Sequence, residues 1–343
     1  MVSVMLMIWF ERKLHADMTN RMGPTITGPF GLLQTLADGI KLFFKEDLLP
    51  SEGRGDSMIF RLAPYLTLIP AFLIFTVVPI GGDFDNADGK IGILFVLAMS
   101  SLAVYGIMLA GWSSGSKYPL FASVRASAQM VSYEAALGLS LVAVLIKSGT
   151  LSTHDIVAGQ ADGWNWNLWI TGFIPFIVFL IATTAELNRP PFDLVEAEQE
   201  IVGGFHTEYS SIRFALFFLG EYMNVVTMSA IMVTLFFGGP DGPIPFFESF
   251  GWILAFCFTF IWFRAALPRF RYDQLMDLGW KLLIPLSLGW IVALVALDIG
   301  VIEGWNRPLV AVICFAGLML MGVLLNAAVQ NGKRKQLAGE GFD

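Results

Sequence analysis

The chain is poor in charge and in histidine: only 14% of its 343 residues are Asp, Glu, Lys or Arg, and there are three histidines. A soluble domain carries about a quarter charged residues, so the usual solvated surface is missing. Cysteine is scarcer still, with Cys257 and Cys314 alone, each inside an apolar run and neither in a paired spacing such as C-x-x-C. That excludes an iron-sulfur cluster or a zinc site built within the chain. His15, His154 and His206 all fall outside the apolar runs, which excludes a haem held between two membrane histidines. The formal net charge of -7 gives no footing for nucleic acid. The apolar residues 1–10 lack both a basic leader and a cleavage site, so they do not read as a signal peptide.

What fills the chain instead is apolar. Hydrophobic residues make up 56% and the mean hydropathy is +0.67, the composition of a polypeptide whose solvent is lipid. A hydrocarbon core of about 30 Å needs roughly 20 apolar residues per helix. Eight runs meet that requirement, at 59–80, 91–112, 128–147, 168–187, 211–237, 250–267, 280–301 and 308–329. The apolar stretch at 1–10 is too short to cross unaided and reads as the end of a truncated first helix. The expected fold is an all-α polytopic transmembrane bundle, one integral domain over 1–343.

Orientation follows from the basic residues. If the loops after the first, third, fifth and seventh helices face the cytoplasm together with the 330–343 tail, all 21 Lys and Arg except Lys90, Lys147 and Arg307 lie inside. This predicts an N-terminus outside and a C-terminus inside.

Residues 28–47, GPFGLLQTLADGIKLFFKED, form a different kind of helix. Leu32, Leu33, Leu36, Ile40, Phe43 and Phe44 recur at helical spacing, and Gln34, Asp38, Lys41 and Lys45 mark the other face. This pattern predicts a helix lying in the membrane interface.

The loop at 186–210 carries the chemistry. It holds Glu186, Asp193, Glu196, Glu198, Glu200 and Glu208 against Arg189 and His206. If the part after Pro191 is helical, Asp193, Glu196 and Glu200 share a face, where mutual repulsion raises proton affinity and couples their titrations. A run of acids is usually a solvated loop, but the apolar and rigid residues interleaved here (Pro190, Pro191, Phe192, Leu194, Val195) suggest packing. Glu134 and Glu221 fall inside apolar spans, where an ionisable group is costly and generally faces a polar cavity or a proton path. Asp298 lies near the end of its span, consistent with interface placement. On the loop side, Arg264, Arg269, Arg271 and Asp273 alternate with Phe270 and Tyr272, a mix suited to a partner or to ion pairing with the acidic loop.

Three segments together, FERKLHADMTNRMGP and its continuation over 10–47, AELNRPPFDLVEAEQEIVGGFHTEYSS at 185–211 and RAALPRFRYDQLM at 264–276, resemble the hallmark segments of one family. It is the family of the membrane component designated H in bacterial respiratory complex I and NADH dehydrogenase subunit 1 in mitochondria. The resemblance covers essentially the whole chain, although the family normally has about a dozen more residues before the Glu-Arg-Lys motif. It implies a component of the bacterial cell membrane that forms much of a quinone chamber and links it to proton pumping. By the same resemblance, Glu11, Arg12, Arg21 and Asp38 line the quinone chamber. Asp193, Glu196, Glu198, Glu200 and Glu208, with Glu186 and Arg189, begin a carboxylate path that Glu134 and Glu221 carry inward. Quinone, ubiquinone or menaquinone, is then the substrate. FMN and iron-sulfur clusters belong to partner subunits: the peripheral-arm subunits at the quinone site, beside small membrane subunits and antiporter-like pump subunits. Alternatives are a hydrogenase- or formate-linked proton pump, which shares the Glu-x-Asn-Arg-x-Pro-Phe-Asp part, and a secondary transporter, which should show internal repeats.

Overall fold

In the computed structural model, residues 2–50, 55–79, 90–160, 165–195, 202–240 and 247–337 are described. Every regular element among them is helical. The chain runs α1 (Val2–Met18), α2 (Gln34–Phe44), α3 (Ser57–Phe75), α4 (Gly92–Ser113), α5 (Lys117–Ser148), α6 (Thr153–Ala158), α7 (Asn167–Ile170), α8 (Phe173–Glu186) and α9 (Ser211–Phe236). Then follow α10 (Phe247–Ala266), α11 (Tyr272–Ile302) and α12 (Arg307–Leu337). Seven of these are long and apolar enough to cross a bilayer: α3, α4, α5, α9, α10, α11 and α12.

The span expected at 168–187 is interrupted in the structure. It breaks at Thr171–Gly172, where Gly172 takes φ 82°, leaving α7 as a single turn and α8 with 14 residues. The physical reason is the left-handed backbone at Gly172, whose would-be Cβ meets the Trp290 ring at 2.7 Å; only glycine fits there. The interfacial helix is also shorter than its sequence pattern. Gly28, Phe30 and Gly31 all have positive φ, so the regular helix begins only at Gln34. Its apolar residues Leu36, Ile40, Phe43 and Phe44 are exposed, as a face that meets lipid should be.

Without water to drive helices together, membrane bundles pack through small residues that let backbones approach. Gly106 of α4 lies so close to α3 that an added Cβ would meet the Thr67 backbone nitrogen at 2.8 Å, and Gly220 of α9 lies against the α3 backbone near Leu68. Two axes organise the bundle: α5 packs on α4, α8 and α11, and α9 packs on α3, α10, α1 and α2. Among the described residues successive long helices alternate in direction, so the turn at 187–195, the start of α3, the end of α4, the start of α5 and the end of α10 share one side, here called the loop side.

Gly106→Leu is expected to force α3 and α4 apart and abolish accumulation of the chain in the membrane, whereas Gly138→Leu, with open space around it, accumulates normally. Immunoblots of membrane fractions check both.

Candidate functional site

The segment after α8 turns back into the bundle because α5 holds it there. Gln129 is fully buried, and its Nε2 donates to the carbonyl of Ala185 at 2.8 Å, that of Phe192 at 3.0 Å and Oδ1 of Asn188 at 3.3 Å. One amide thereby closes both ends of the turn that carries Arg189. The Phe192 ring lies between Tyr133 and Phe270, and the Phe270 N–H donates to the Pro191 carbonyl at 3.0 Å. Tyr133 in turn donates to the Leu275 carbonyl at 2.9 Å, just before the π-helical turn Leu278–Leu283 of α11.

Arg189 therefore points inward, 5% exposed, and meets acids from two other helices. Its Nη1 donates to Glu11 Oε1 of α1 at 2.8 Å, and its Nε lies 3.0 Å from Glu221 Oε1 of α9, an ion pair whose angle falls short of a hydrogen bond. The guanidinium also stacks over the Tyr222 ring at 4.7 Å. Glu11, 4% exposed, has a second cation, Arg264 of α10, bonded to the same Oε1. The result is a row of alternating charge, Arg264, Glu11, Arg189, Glu221, contributed by four different parts of the chain. Burial alone would lower the proton affinity of Arg189, but Glu221 first and Glu11 next hold it well above the ordinary arginine value. Glu11 Oε2 is buried without a hydrogen-bond partner, so the row keeps an open acceptor.

The other expected acids distribute around this row. Asp193, in non-helical backbone and buried, pairs with Arg269 at 2.9 Å, which brings the Arg264–Met276 segment onto the acidic loop. Glu186 is buried at the end of α8 in electrostatic contact with Glu134 of α5, which accepts a bond from Ser101 of α4. Glu196, Glu198 and Glu200 lie outside the described residues, and with them the shared helical face expected for Asp193, Glu196 and Glu200. Glu208 is exposed, at an open cleft with Leu48, Pro50 and Ser116.

Arg12 and Asp38 form an ion pair of 2.7 Å between α1 and α2, reinforced by a bond from Gln34 Nε2 to the other Asp38 oxygen at 3.1 Å. Adjacent residues of α1 thus serve two places: Arg12 faces the interfacial helix, and Glu11 faces the buried row. Arg21 is exposed beyond the end of α1, apart from both. Arg271 and Asp273 pair with one another in an exposed position, also apart from the row. Lys147 and Asp298 join α5 to α11 at the opposite side of the bundle.

Beside the row lies an interior cavity of about 60 Å³, lined by Glu186, Glu221, Asn188, Asn224, Thr67 and His206 among others. That volume holds about four waters. Burial pushes the His206 imidazole down to about 4, so at neutral pH it lines the cavity uncharged. Behind Phe217 of the cavity wall, Tyr209 donates to the Phe60 carbonyl and stacks on the Phe60 ring at 3.9 Å; burial pushes its hydroxyl up to about 12.

Gln129, Tyr222, Asn224, Ser101 and His206 join the site only in the structure. Gln129 and Asn224 carry a usable signal in the sequence, since each is a lone amide inside an apolar span. Ser101 carries none, because hydroxyls usually return their hydrogen bond to their own helix.

With this geometry in view, comparison with known proteins is specific. Residues 1–295 match the family model described as NADH dehydrogenase. A protein of Frankia casuarinae, named as the H subunit of NADH-quinone oxidoreductase, is 52% identical over 83% of this chain and 67% of its own length. Another of that name from Frankia alni is 46% identical over 96% of this chain and 79% of its own. A Koribacter versatilis protein, named as H subunit 2 of NADH-quinone oxidoreductase, is 48% identical over 85% and 91%.

Replacing Arg189 by Met should leave the part-exposed Glu221 without its cation and the buried Glu11 with Arg264 alone, and cost on the order of 3 kcal/mol. The expected readout is early loss of this chain from the detergent-purified assembly on heating. Arg189→Lys, which keeps the charge but not the two-sided reach, should fall between Met and the native residue.

Proposed function

This chain belongs to the NADH dehydrogenase family, as an H subunit of NADH-quinone oxidoreductase, and we propose that within that complex it forms much of the quinone chamber and passes the charge of quinone reduction to a carboxylate path for protons. The observation that carries the proposal is the two-sided use of α1. Arg12 pairs with Asp38 on the side of the lipid-facing helix α2, and the next residue inward, Glu11, anchors the buried row with Arg189 and Glu221.

The exposed apolar face of α2, with Ile40, Phe43 and Phe44, suits the approach of an isoprenoid quinone from the bilayer. Arg12 and Asp38 are the paired polar groups between α1 and α2 that would meet it, Arg21 joins them on the resemblance alone, and Glu11 backs Arg12 from inside. Reduction of a quinone takes two electrons and two protons, so negative charge develops before protons arrive. In a low-dielectric chamber that charge acts over several ångströms. It competes with Glu11 for Arg264 and Arg189, and whatever Glu11 loses of Arg189, Glu221 gains. A guanidinium shared between two carboxylates thus turns an event on one side of α1 into a change of proton affinity on the other.

From Glu221 the water-sized cavity leads to Glu186, which faces Glu134. Glu134 sits on α5 against α4, and partner membrane subunits would take the proton from there. The acids of the loop, Asp193, Glu196, Glu198, Glu200 and Glu208, supply protons from the cytoplasmic side. Peripheral-arm subunits bring electrons from FMN through iron-sulfur clusters, small membrane subunits lie alongside, and antiporter-like subunits do the pumping. The distribution of Lys and Arg supports a loop side facing the cytoplasm, with the N-terminus outside and the C-terminal tail inside, in the bacterial inner membrane.

Glu221→Gln in intact membranes is expected to keep NADH oxidation measurable while proton uptake per electron falls several-fold. If quinone-coupled pumping is unchanged, Glu221 carries no proton and the path through the cavity is wrong.

A further inference from the structure

The polar cavity lies toward the loop side, and the way out of the bundle in the opposite direction is differently built. Beyond Glu134 on α5 no Asp, Glu, His, Lys or Arg follows until Lys147, thirteen residues on; beyond Glu221 on α9 none follows up to Phe236, the one titratable side chain being the adjacent Tyr222; before Glu186 on α8 there is none back to Phe173; and the first half of α4, over 92–102, has none. At 1.5 Å per residue the tracts on α5, α8 and α9 are each about 20 Å of helix without a carboxylate, histidine or basic group. The serine and threonine hydroxyls within those of α5 and α9 are turned onto their own backbones. Ser140 donates to the Leu137 carbonyl at 2.6 Å, Thr227 to Met223 at 2.8 Å, Ser229 to Val225 at 2.7 Å and Thr234 to Ala230 at 2.9 Å. The cavity level differs: Thr183, one turn from Glu186, makes no such bond, and Ser101 and Ser100 of α4 also reach Glu134 and Glu186.

The same region is apolar and closely packed. Val225, Met228, Ile231, Met232, Val233 and Leu235 are all buried. A void of about 10 Å³ beside Ile231 and Thr234, walled mostly by Val77, Val78, Ile93, Val96, Leu141 and Leu235, is at the lower limit for a single water. Above it the rings of Phe176, Phe236, Phe237, Trp252 and Phe256 interlock, with neighbouring centroids 4.7 to 6.5 Å apart. Below them Phe179 packs on Phe236 at 5.6 Å. Proton transfer needs a chain of donors that can each turn over, and hydroxyls committed to helical carbonyls around a void barely large enough for one water do not supply one.

We propose that this half of the bundle, the second halves of α5 and α9 with the first halves of α4 and α8, is a proton-tight seal. It blocks the direct route from the cavity to the opposite face, so that a proton on Glu134, Glu186 or Glu221 leaves sideways into another chain or returns the way it came. A complex that stores energy as a proton gradient requires such an insulator wherever a wet cavity penetrates a subunit. The inference rests on the reading of the cavity acids as proton carriers, but its test reads water access instead.

The test is cysteine accessibility in the intact complex in membrane vesicles, with Cys257→Ala and Cys314→Ala as background and a small methanethiosulfonate ammonium reagent as probe. Labelling of this chain is read by mass spectrometry, and only variants that co-purify with the complex are scored. Ile107→Cys, on the cavity wall, should label; Ile231→Cys and Thr234→Cys should react at least about tenfold more slowly, because a thiol without water forms no thiolate. If Ile231→Cys does not assemble, Met228→Cys takes its place. Reaction at 228, 231 or 234 as fast as at 107 overturns the seal. Loss of the pumping effect of Glu221→Gln would remove the proton reading of the cavity and leave this result standing.

Discussion

The arrangement depends on one buried guanidinium. Arg189 arrives from a turn between two helices and is held by carboxylates from α1 and α9, while a second arginine from α10 shares one of them. Neither Arg189 nor Glu11, the two fully buried members, could be buried alone, because an isolated charge inside a lipid-embedded bundle is far too costly. Alternation solves this: each anion lies against a cation and the row sums to zero. That balance makes it responsive, since any charge arriving at one end must redistribute the shared contacts along it.

The scaffold is organised to keep that row in place. Gln129 fixes both ends of the Arg189 turn, Tyr133 and Phe192 tie the turn to α11, and Arg269 fixes Asp193 beyond it. Small residues bring α3 close to α4 and α9, which leaves the cavity between them only as large as a few waters. The polar and apolar halves then follow from which residues lie on α9: Glu221 and Asn224 on the loop side, and beyond them apolar side chains with three hydroxyls bonded back to the helix.

Much of the fold is legible in the sequence because lipid imposes a simple rule, and hydropathy runs locate every long helix, although α3 ends five residues earlier than its run and α5, α11 and α12 extend well beyond theirs on the loop side. The break at Gly172 is not, because it turns on one left-handed residue against Trp290, a contact distant in sequence. For the site, the cost of membrane-depth charge singles out Glu134 and Glu221, and composition flags Arg189. What stays hidden is the pairing. Glu11, grouped by resemblance with Arg12 and Arg21, faces Arg189 and Arg264, 178 and 253 residues away in sequence. Helical phase separates Glu11 from Arg12, but only the packed bundle says which partner each face meets.

The central claim is that charge on the quinone changes the protonation of the carboxylates joined through Arg189. Redox-triggered infrared difference spectra of the intact complex, recorded in water and in heavy water, test it directly. The account predicts a carboxylic-acid carbonyl band that forms or shifts on quinone reduction, moves with deuteration, and is lost when Glu221 is replaced by Gln. A spectrum without any carboxyl change, or one identical with and without Glu221, would contradict it.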